Sequence, residues 1–248
     1  MTDTDGAIQS KISEYWSRQG VTYDFHQLDQ LRHDAVRQAW IDIWRRTLPA
    51  PPVKVLDVGT GTGHVSLMLA ELGYAVNGID LAKGMLEQAW IKAARMPRNA
   101  PILEIGDAVS PDFSPASFDV LTARYVLWTL RTPEVALANW RTLLRPGGLL
   151  VAIDSTWFPD GIHRSTPDVP SDPAEKAAFG TLYDDAVMSV LPLAEARTIE
   201  DTADTVRAAG FGDVTVTPLH EILELDQKYG VSPGHNVQLQ YLITATAE

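Results

Sequence analysis

Apolar side chains recur at helical spacing along the N-terminal part of the chain. One stripe includes Ile8, Ile12 and Tyr15-Trp16, and a second runs from Leu28 to Leu48. Residues 20–24, which begin with a glycine, predict a turn between the two stripes. Prolines at positions 49, 51 and 52 then end the second helix and lead into a strand.

From residue 53 onward, short apolar runs alternate with segments of helical character. Most of these runs are separated by enough chain for one helix. Five strands are predicted in this region: Val53–Val58, Ala75–Ile79, Ile102–Ile105, Phe118–Ala123 and Leu149–Ile153. Strands that alternate with helices predict right-handed crossovers and a mostly parallel sheet with both faces covered.

The pattern changes after Asp154. Residues 155–173 combine four prolines with the aromatic side chains Trp157 and Phe158, and they predict an ordered insertion. Helices over 174–190 and 199–209 follow it.

Two strand-like runs, 213–218 and 237–245, close the sequence without an evident long crossover helix between them. We therefore expect an antiparallel pair at one edge of the sheet. The predicted fold class is α/β: a Rossmann-like, doubly wound, seven-stranded sheet that is otherwise mostly parallel. An N-terminal helical lid and an insertion after strand 5 complete it.

These patterns predict one domain over residues 1–248. Within it we expect an N-terminal lid (1–50), a core (51–154), a cap insertion (155–198) and a C-terminal helix with strands (199–248). A chain of 248 residues is long enough to bury a sizeable core in this arrangement.

Composition excludes several classes of protein. The chain has 20 Lys and Arg against 32 Asp and Glu, so its formal net charge is −12, which disfavours nucleic-acid partners. It has no cysteine, and therefore no thiolate nucleophile, disulfide or Cys-ligated metal. No signal peptide or membrane span is evident, so we expect a cytoplasmic protein without a membrane partner.

The segment from Val55 to His64 is the most informative motif in the chain. A buried strand is predicted to carry Asp57, and three alternate glycines then open a helix. Glycines allow a ligand to approach the backbone, and the free N–H groups of a helix N-terminus can bind it. The spacing is G-x-G-x-G rather than the G-x-G-x-x-G of dinucleotide-binding folds. The carboxylate of Asp57 disfavours a pyrophosphate but suits a ligand with an ammonium group.

Two further acids follow predicted strands. Asp80 ends the second strand, where a carboxylate can accept hydrogen bonds from both hydroxyls of a ribose. Asp107 follows the third strand and can accept a hydrogen bond from an adenine amino group.

Taken together, residues 53–154 resemble the class I S-adenosylmethionine (SAM)-dependent methyltransferases, particularly their ubiquinone-biosynthesis-like group of small-molecule enzymes. The motifs that carry the resemblance stand in the family's order: the glycine loop, Asp80, Gly106-Asp107, Phe118–Leu121 and Leu143–Gly148. The N-terminal Tyr15-Trp16 and Tyr23-Asp24 also resemble the opening of that group, which forms a lid over the cofactor.

The resemblance implies SAM as cofactor, S-adenosylhomocysteine (SAH) as product, and a role for each matching position. The methionine part of SAM would contact Asp57, Gly59, Thr60, Gly61 and Arg124. The ribose would contact Asp80, and the adenine would contact Leu81, Met85, Gly106, Asp107 and Ala108. Tyr15 and Tyr23 would close the lid.

Some of these residues also have purely structural interpretations. Asp57 and Asp107 could stabilise turns, and Asp80 could cap a helix. Tyr15 and Trp16 could anchor the N-terminal helix in the core. His64, directly after the glycine loop, is interpreted as a helix-packing residue.

Two of the six histidines are candidates for a general base. His163 lies in the proline-rich insertion, and His26 lies near the predicted lid. No group of His, Asp and Glu has metal-ligand spacing, so no metal is implied.

We therefore expect a methyltransferase for O, N or C of a small aromatic or apolar acceptor, such as a phenol, indole, quinone or polyketide-like natural product. The expected acceptor-lining residues are Trp16, Tyr125, Trp128, Trp157, Phe158, Tyr183 and Leu191. We expect a monomer or homodimer. Two alternatives stay open: a SAM-binding relative that catalyses another reaction, such as a cyclisation, and a nicotinamide-dependent oxidoreductase.

Overall fold

The computed structural model describes residues 3–162, 172–231 and 235–248, with side chains from residue 6 onward. Its strands are β1 (Lys54–Val58), β2 (Ala75–Asp80), β3 (Ile102–Ile105), β4 (Phe118–Arg124), β5 (Leu144–Ser155), β6 (Phe211–Pro218) and β7 (Gln240–Ala247). They form one seven-stranded sheet in the order β3-β2-β1-β4-β5-β7-β6. The pairs among β1 to β5 are parallel, and β7 runs antiparallel to both β5 and β6. The predicted fold class is confirmed.

Helices connect and cover the strands. In chain order they are α1 (Asp3–Leu31), α2 (Asp34–Thr47), α3 (His64–Glu71), α4 (Lys83–Ala93), α5 (Pro133–Leu143), α6 (Pro173–Leu182), α7 (Asp185–Met188), α8 (Ile199–Ala208) and α9 (His220–Tyr229). A short 3₁₀ helix, Leu127–Thr129, follows β4. The helix predicted over 174–190 is thus two helices, broken at residues 183–184, where Asp184 caps α7.

The core lies on the two faces of the sheet. On one face, Leu137 and Trp140 of α5 are fully buried together with Phe118. On the other face, Trp44 of α2 and Leu69 of α3 are equally buried. Apolar side chains from both faces of the sheet are therefore removed from water, as a doubly wound sheet requires.

The turn predicted at residues 20–24 is wrong, because α1 continues through it and the chain breaks at Arg32-His33 instead. Gly20 serves helix packing. A Cβ on Gly20 would lie 2.3 Å from the carbonyl oxygen of Gly84, and a Cβ on Gly84 would lie 1.9 Å from that of Ser17. The two glycines let the backbones of α1 and α4 touch.

Polar contacts also hold α1 over the sheet. Asp24 and Lys92 form a mostly buried ion pair between α1 and α4. The Ser13 hydroxyl donates to the carbonyl of Leu81 over 2.9 Å, and Thr62 Oγ1 donates to Gln27 over 2.8 Å. The N-terminal helix therefore lies fixed across the carboxyl ends of β1 and β2.

The described residues contain no helix long and apolar enough to cross a membrane. Nor does this part of the chain hold a cluster of three or more His, Asp and Glu side chains that could bind a metal ion.

Candidate functional site

A cavity of about 510 Å³ opens at the carboxyl ends of the parallel strands, beneath α1. It lies where β1 pairs with β2 on one side and with β4 on the other, so that the order of strands reverses. Open α/β sheets bind ligands at such a point. The cavity has a polar half around the glycine loop and an aromatic half beneath α1 and α6.

The glycine loop lines the polar half with backbone. Gly59 and Gly61 have φ values of +64° and +56°, a region that favours glycine. A Cβ on Gly59 would lie 2.3 Å from a methyl group of Val126. Among the described residues, apart from its chain neighbours, a Cβ on Gly61 would meet only the carbonyl oxygen of Gly59, at 3.9 Å. Because Gly61 lines the cavity, a side chain there would occupy ligand space.

Asp57 is 1% exposed at the floor of the polar half. Its two carboxylate oxygens accept hydrogen bonds from the hydroxyls of Ser66 and Thr122, over 2.6 and 2.8 Å. Burial raises its pKa, and these hydroxyls oppose the rise. Asp57 thus places two carboxyl oxygens beside the loop, with lone pairs still available.

Asp80 joins β2 to the glycine loop. One carboxylate oxygen accepts from the backbone N–H of Gly61 over 2.8 Å, and the other accepts from that of Ala82 over 2.7 Å. Burial raises its pKa to about 6, which the two backbone hydrogen bonds oppose. A carboxylate can accept about four hydrogen bonds, so Asp80 has capacity for a ligand as well as for the loop.

Asp107 and Ala108 border the same half. The Asp107 carboxylate accepts a hydrogen bond from the N–H of Val109 over 2.8 Å. This is the turn-stabilising interaction that the sequence analysis gave as the structural alternative to adenine binding. The Ala108 carbonyl accepts from the indole of buried Trp140 over 2.6 Å. Packing against α5 therefore fixes this edge of the cavity.

Arg124 contributes a cation between two aromatic rings. Its guanidinium carbon lies 3.9 Å from the centroid of the Tyr125 ring and 4.9 Å from that of Trp40. Its Nη2 donates to the Tyr125 hydroxyl over 2.9 Å, while its Nε is buried without a partner among the described residues. Arg124 lines the cavity and has no ion pair with a carboxylate in that part of the chain.

Tyr125 is held in an uncommon backbone conformation, with φ at +61°. Its hydroxyl donates to Gln240 on β7, and Gln240 in turn donates to Asp226 on α9 over 3.0 Å. Burial raises the pKa of Asp226 to about 6, which Arg124 and Gln240 oppose. This network fixes Arg124 and Tyr125 at the junction of the two halves.

The aromatic half is built from segments far apart in the sequence. Its wall contains Tyr15, Trp16, Trp128, Trp157, Phe158, Phe179 and Tyr183. The Trp16 indole donates to the Tyr183 hydroxyl over 3.1 Å. Burial, and then the charge of Glu175, raise the pKa of Tyr15 to about 12, so its hydroxyl stays protonated at neutral pH.

The structure brings together nearly all of the predicted residues that it describes. Every residue predicted to bind cofactor lies in the cavity wall, as do His26 and the predicted acceptor residues apart from one. The exception is Leu191, which is 3% exposed and packs among the apolar residues behind the aromatic half. His163 lies outside the described residues. The ligands assigned to these positions remain predictions.

The sequence analysis missed several wall residues. His64, interpreted as a packing residue, lines the cavity, and both of its ring nitrogens are buried without a partner in the described part of the chain. Burial, followed by Arg124 and Lys92, lowers its pKa, so the ring is neutral. Glu175 and Phe179 lie one helical turn apart on α6, and this spacing is the signal that could have found them. The wall also includes His235, Asn236 and Gln238, which no motif distinguishes.

Residues 56–152 match the family model described as a methyltransferase domain. Over these residues the chain is similar to methyltransferase domains. Its sheet order and the cavity at the switch point resemble those of the class I, SAM-dependent methyltransferases.

Two curated relatives are similar over much of the chain. The nocamycin O-methyltransferase of Saccharothrix syringae is 33% identical over 196 residues, which are 71% of this chain and 65% of that protein. The demethylmenaquinone methyltransferase of Thermus thermophilus is 34% identical over 156 residues, which are 60% of this chain and 63% of that protein. The chain thus spans less than two thirds of the length of either relative.

Among solved structures, a SAM-dependent methyltransferase of Thermotoga maritima, named as a possible histamine N-methyltransferase, is similar in fold. Its TM-score is 0.62 at 18% identity, over 94% of this chain and 99% of the other. At this identity the likeness shows the fold alone.

Proposed function

We propose that the chain transfers a methyl group from SAM to O, N or C of a small aromatic or apolar acceptor. The observation that carries this proposal is a continuous cavity, in which a polar half made of the glycine loop, carboxylates and Arg124 opens into a half lined by aromatic rings. A cofactor and an acceptor bound in one enclosed space can meet at their reacting atoms.

The polar half fits the chemistry of SAM. The cofactor combines an ammonium, a carboxylate, ribose hydroxyls and an adenine. Asp57 offers negative charge for the ammonium, and the Arg124 guanidinium, whose Nε has no partner among the described residues, suits the carboxylate. The remaining lone pairs of Asp80 suit the ribose hydroxyls, and the bare backbone at Gly61 leaves room for the ligand.

The same residues argue against a nicotinamide dinucleotide. The wall of the polar half contains three carboxyl groups, those of Asp57, Asp80 and Asp107, and one guanidinium, that of Arg124. Three carboxylates near the loop repel a pyrophosphate, which carries negative charge of its own.

Bound SAM supplies a methyl group already activated by the positive charge of its sulfonium. The chain's own contribution is to orient the cofactor and the acceptor and to exclude water from the space between them. The Arg124–Tyr125–Gln240 network fixes one side of the junction, and α1 covers the other. Alignment of two reactants in this way can contribute about 7–11 kcal/mol to lowering the barrier.

A general base is needed only for an acceptor that is protonated at the working pH. His26 lies in the cavity wall and can serve in that case. The name of the nocamycin relative supports an acceptor from natural-product biosynthesis, and the aromatic wall supports a planar or apolar one.

The proposal is tested first by binding. Isothermal titration with SAH should show a single site, and NADH should show none. Asp80→Asn should weaken SAH binding, because it removes charge and acceptors from the ribose site. Asp42→Asn, a change at an exposed carboxylate on α2, is the matched control and should bind as the wild type does. Binding of NADH but not SAH would overturn the proposal.

Transfer is tested separately. Incubation with methyl-labelled SAM and a panel of phenols, indoles and amines should yield a labelled product for one acceptor class. Tight SAH binding without label transfer to any of them, together with conversion of an unlabelled compound, would favour the alternative of a repurposed SAM-binding enzyme.

A further inference from the structure

We infer that Asp154 is a positioning residue whose carboxylate holds the tryptophan wall of the aromatic half in place. The inference rests on the proposed function, because it assigns that half to the acceptor. Asp154 itself does not line the cavity; it acts through Trp157 and the loop after β4.

Several donors converge on the Asp154 carboxylate near the end of β5, where the residue is 2% exposed. Its Oδ1 accepts from the Trp157 indole N–H and from the N–H of Ser155, the latter over 3.0 Å. The amides of Trp128 and Leu127 also stabilise the ionised carboxylate. It has no ion pair with a Lys or Arg among the described residues, so N–H donors alone compensate its burial.

The two tryptophans that meet at this carboxylate support the rest of the wall. The ring centroids of Trp128 and Trp157 are 5.8 Å apart. Trp157 packs edge-on against Tyr125 at 4.8 Å, and Trp128 packs against Tyr183 at 5.4 Å. Loss of the indole hydrogen bond to Asp154 therefore frees a ring that touches both the junction and the acceptor half.

The charge of Asp154 sets the strength of this bond. Burial raises its pKa to about 7, and the Trp157, Ser155, Trp128 and Leu127 donors oppose the rise. Above that pH the ionised carboxylate is a strong acceptor; below it the protonated group is a weaker one.

The strand register and the ring contacts place three titratable groups beside Asp154 or its tryptophan partner. Tyr241 on β7 is its register partner, Arg124 on β4 pairs with Ile153, and Tyr125 packs on Trp157. None of the three is hydrogen-bonded to Asp154 in the described part of the structure. The titration is therefore expected to follow Asp154 itself.

The test is the indole N–H signal of Trp157 in a ¹H–¹⁵N correlation spectrum, assigned by its absence in Trp157→Phe. It should move with a midpoint near pH 7 in the wild type and stay fixed in Asp154→Asn. Trp90 provides the matched control, because its indole donates to the carbonyl of Leu103 over 2.9 Å, outside the cavity. A Trp157 signal that does not titrate, or that titrates alike in Asp154→Asn, would overturn the inference.

An aromatic probe gives the functional readout. The probe is 2-naphthol, which is neutral at both pH values used. Its affinity for the wild type should be about fivefold higher at roughly pH 8 than at roughly pH 6, because the higher pH strengthens one hydrogen bond, from the Trp157 indole to the ionised Asp154. It should be independent of pH in Trp157→Phe, which keeps the test valid even where Asp154→Asn fails to fold. Equal affinity at both pH values in the wild type, or no binding at the higher pH, would overturn the inference.

SAH binding separates the two proposals. Wild type and Asp154→Asn should bind SAH within about threefold of one another, because Asp154 lies outside the cavity wall. A chain that binds no SAH but shows the Trp157 titration would contradict the proposed cofactor and leave the positioning role intact.

Discussion

The two halves of the cavity are built in different ways. The shape of the polar half is set by the backbone of the glycine loop and by two acids, Asp57 and Asp80. Gly61 has a left-handed backbone conformation with open space beside it, and the Asp80 carboxylate accepts hydrogen bonds from the N–H groups of Gly61 and Ala82. In the aromatic half, seven rings from α1, the 3₁₀ helix after β4, the chain after β5 and the region of α6 pack on one another. The first half is formed at the ends of consecutive strands, β1 to β4, and in the loops that follow them; the second depends on packing between segments that are far apart in the sequence.

Gly61→Val should have the largest effect on the polar half. The new side chain would occupy the cavity, and SAH affinity should fall by at least about 100-fold, since a steric block removes several contacts together. Gly147→Val is the control: its φ is +74°, and a Cβ added there would meet no atom of the described residues within 4 Å, apart from its chain neighbours. Both variants carry a strain of about 1–2 kcal/mol, so equal SAH affinity in the two would mean that the loop does not approach the ligand.

Trp128→Ala should affect the aromatic half most. Trp128 is 6% exposed and contacts Trp157, Phe158 and Tyr183. Its truncation should lower the free energy of unfolding by about 3–5 kcal/mol, because a large buried ring is lost. Chemical denaturation measures this, and SAH affinity of the folded variant should stay near that of the wild type. A marked loss of SAH binding would show that the two halves are not independent.

Gly20→Ala tests the helix that covers both halves. A Cβ there would lie 2.3 Å from the Gly84 carbonyl oxygen, so α1 must move away from α4. We expect a loss of stability of about 1–3 kcal/mol, as for other overpacked sites, with weaker SAH binding. A Cβ on Gly6 in the same helix meets nothing within 4 Å among the described side chains and backbone, so Gly6→Ala should be neutral or stabilising. Thermal unfolding of the pair measures the difference.

The pH dependence of SAH binding gives the smallest and most specific effect. Burial raises the pKa of Asp80 to about 6 from its ordinary value of 3.8, and ribose hydroxyls bind best to the ionised form. As pH falls below that pKa, the carboxyl must lose a proton for SAH to bind, so Kd should rise by up to about tenfold per pH unit. In Asp80→Asn, the Kd for SAH measured by titration calorimetry should no longer depend on pH in this range. A wild-type affinity that is flat down to about pH 5 would contradict the assignment.

The same contrast explains which features the sequence reveals. Gly59 and Gly61 of the glycine loop, Asp80 and Asp107 stand at or just after the ends of strands at characteristic spacing, and all four lie in the cavity wall. The parallel pairing among β1 to β5 also follows from the alternation of strands and helices. These are local signals, and each has a direct physical reading.

Packing between distant segments of the chain is harder to predict. In the sequence Gly20 suggests a turn, because no residue near it shows that α1 touches α4 at this point and that Gly20 lies against Gly84. The apolar character of Leu191 is compatible with the acceptor wall, whereas the fold puts the residue behind that wall. The unpartnered ring nitrogens of His64 and the place of His235, Asn236 and Gln238 in the cavity wall are likewise visible only in three dimensions, in the part of the chain that the structure describes.

A crystal structure of the chain with SAH tests the central claim most directly. The account predicts the ribose against Asp80, the carboxylate of the amino-acid tail near Arg124, and the sulfur at the opening toward Trp128 and Trp157. A polar half that stays empty at saturating SAH, or SAH bound elsewhere on the chain, would contradict it.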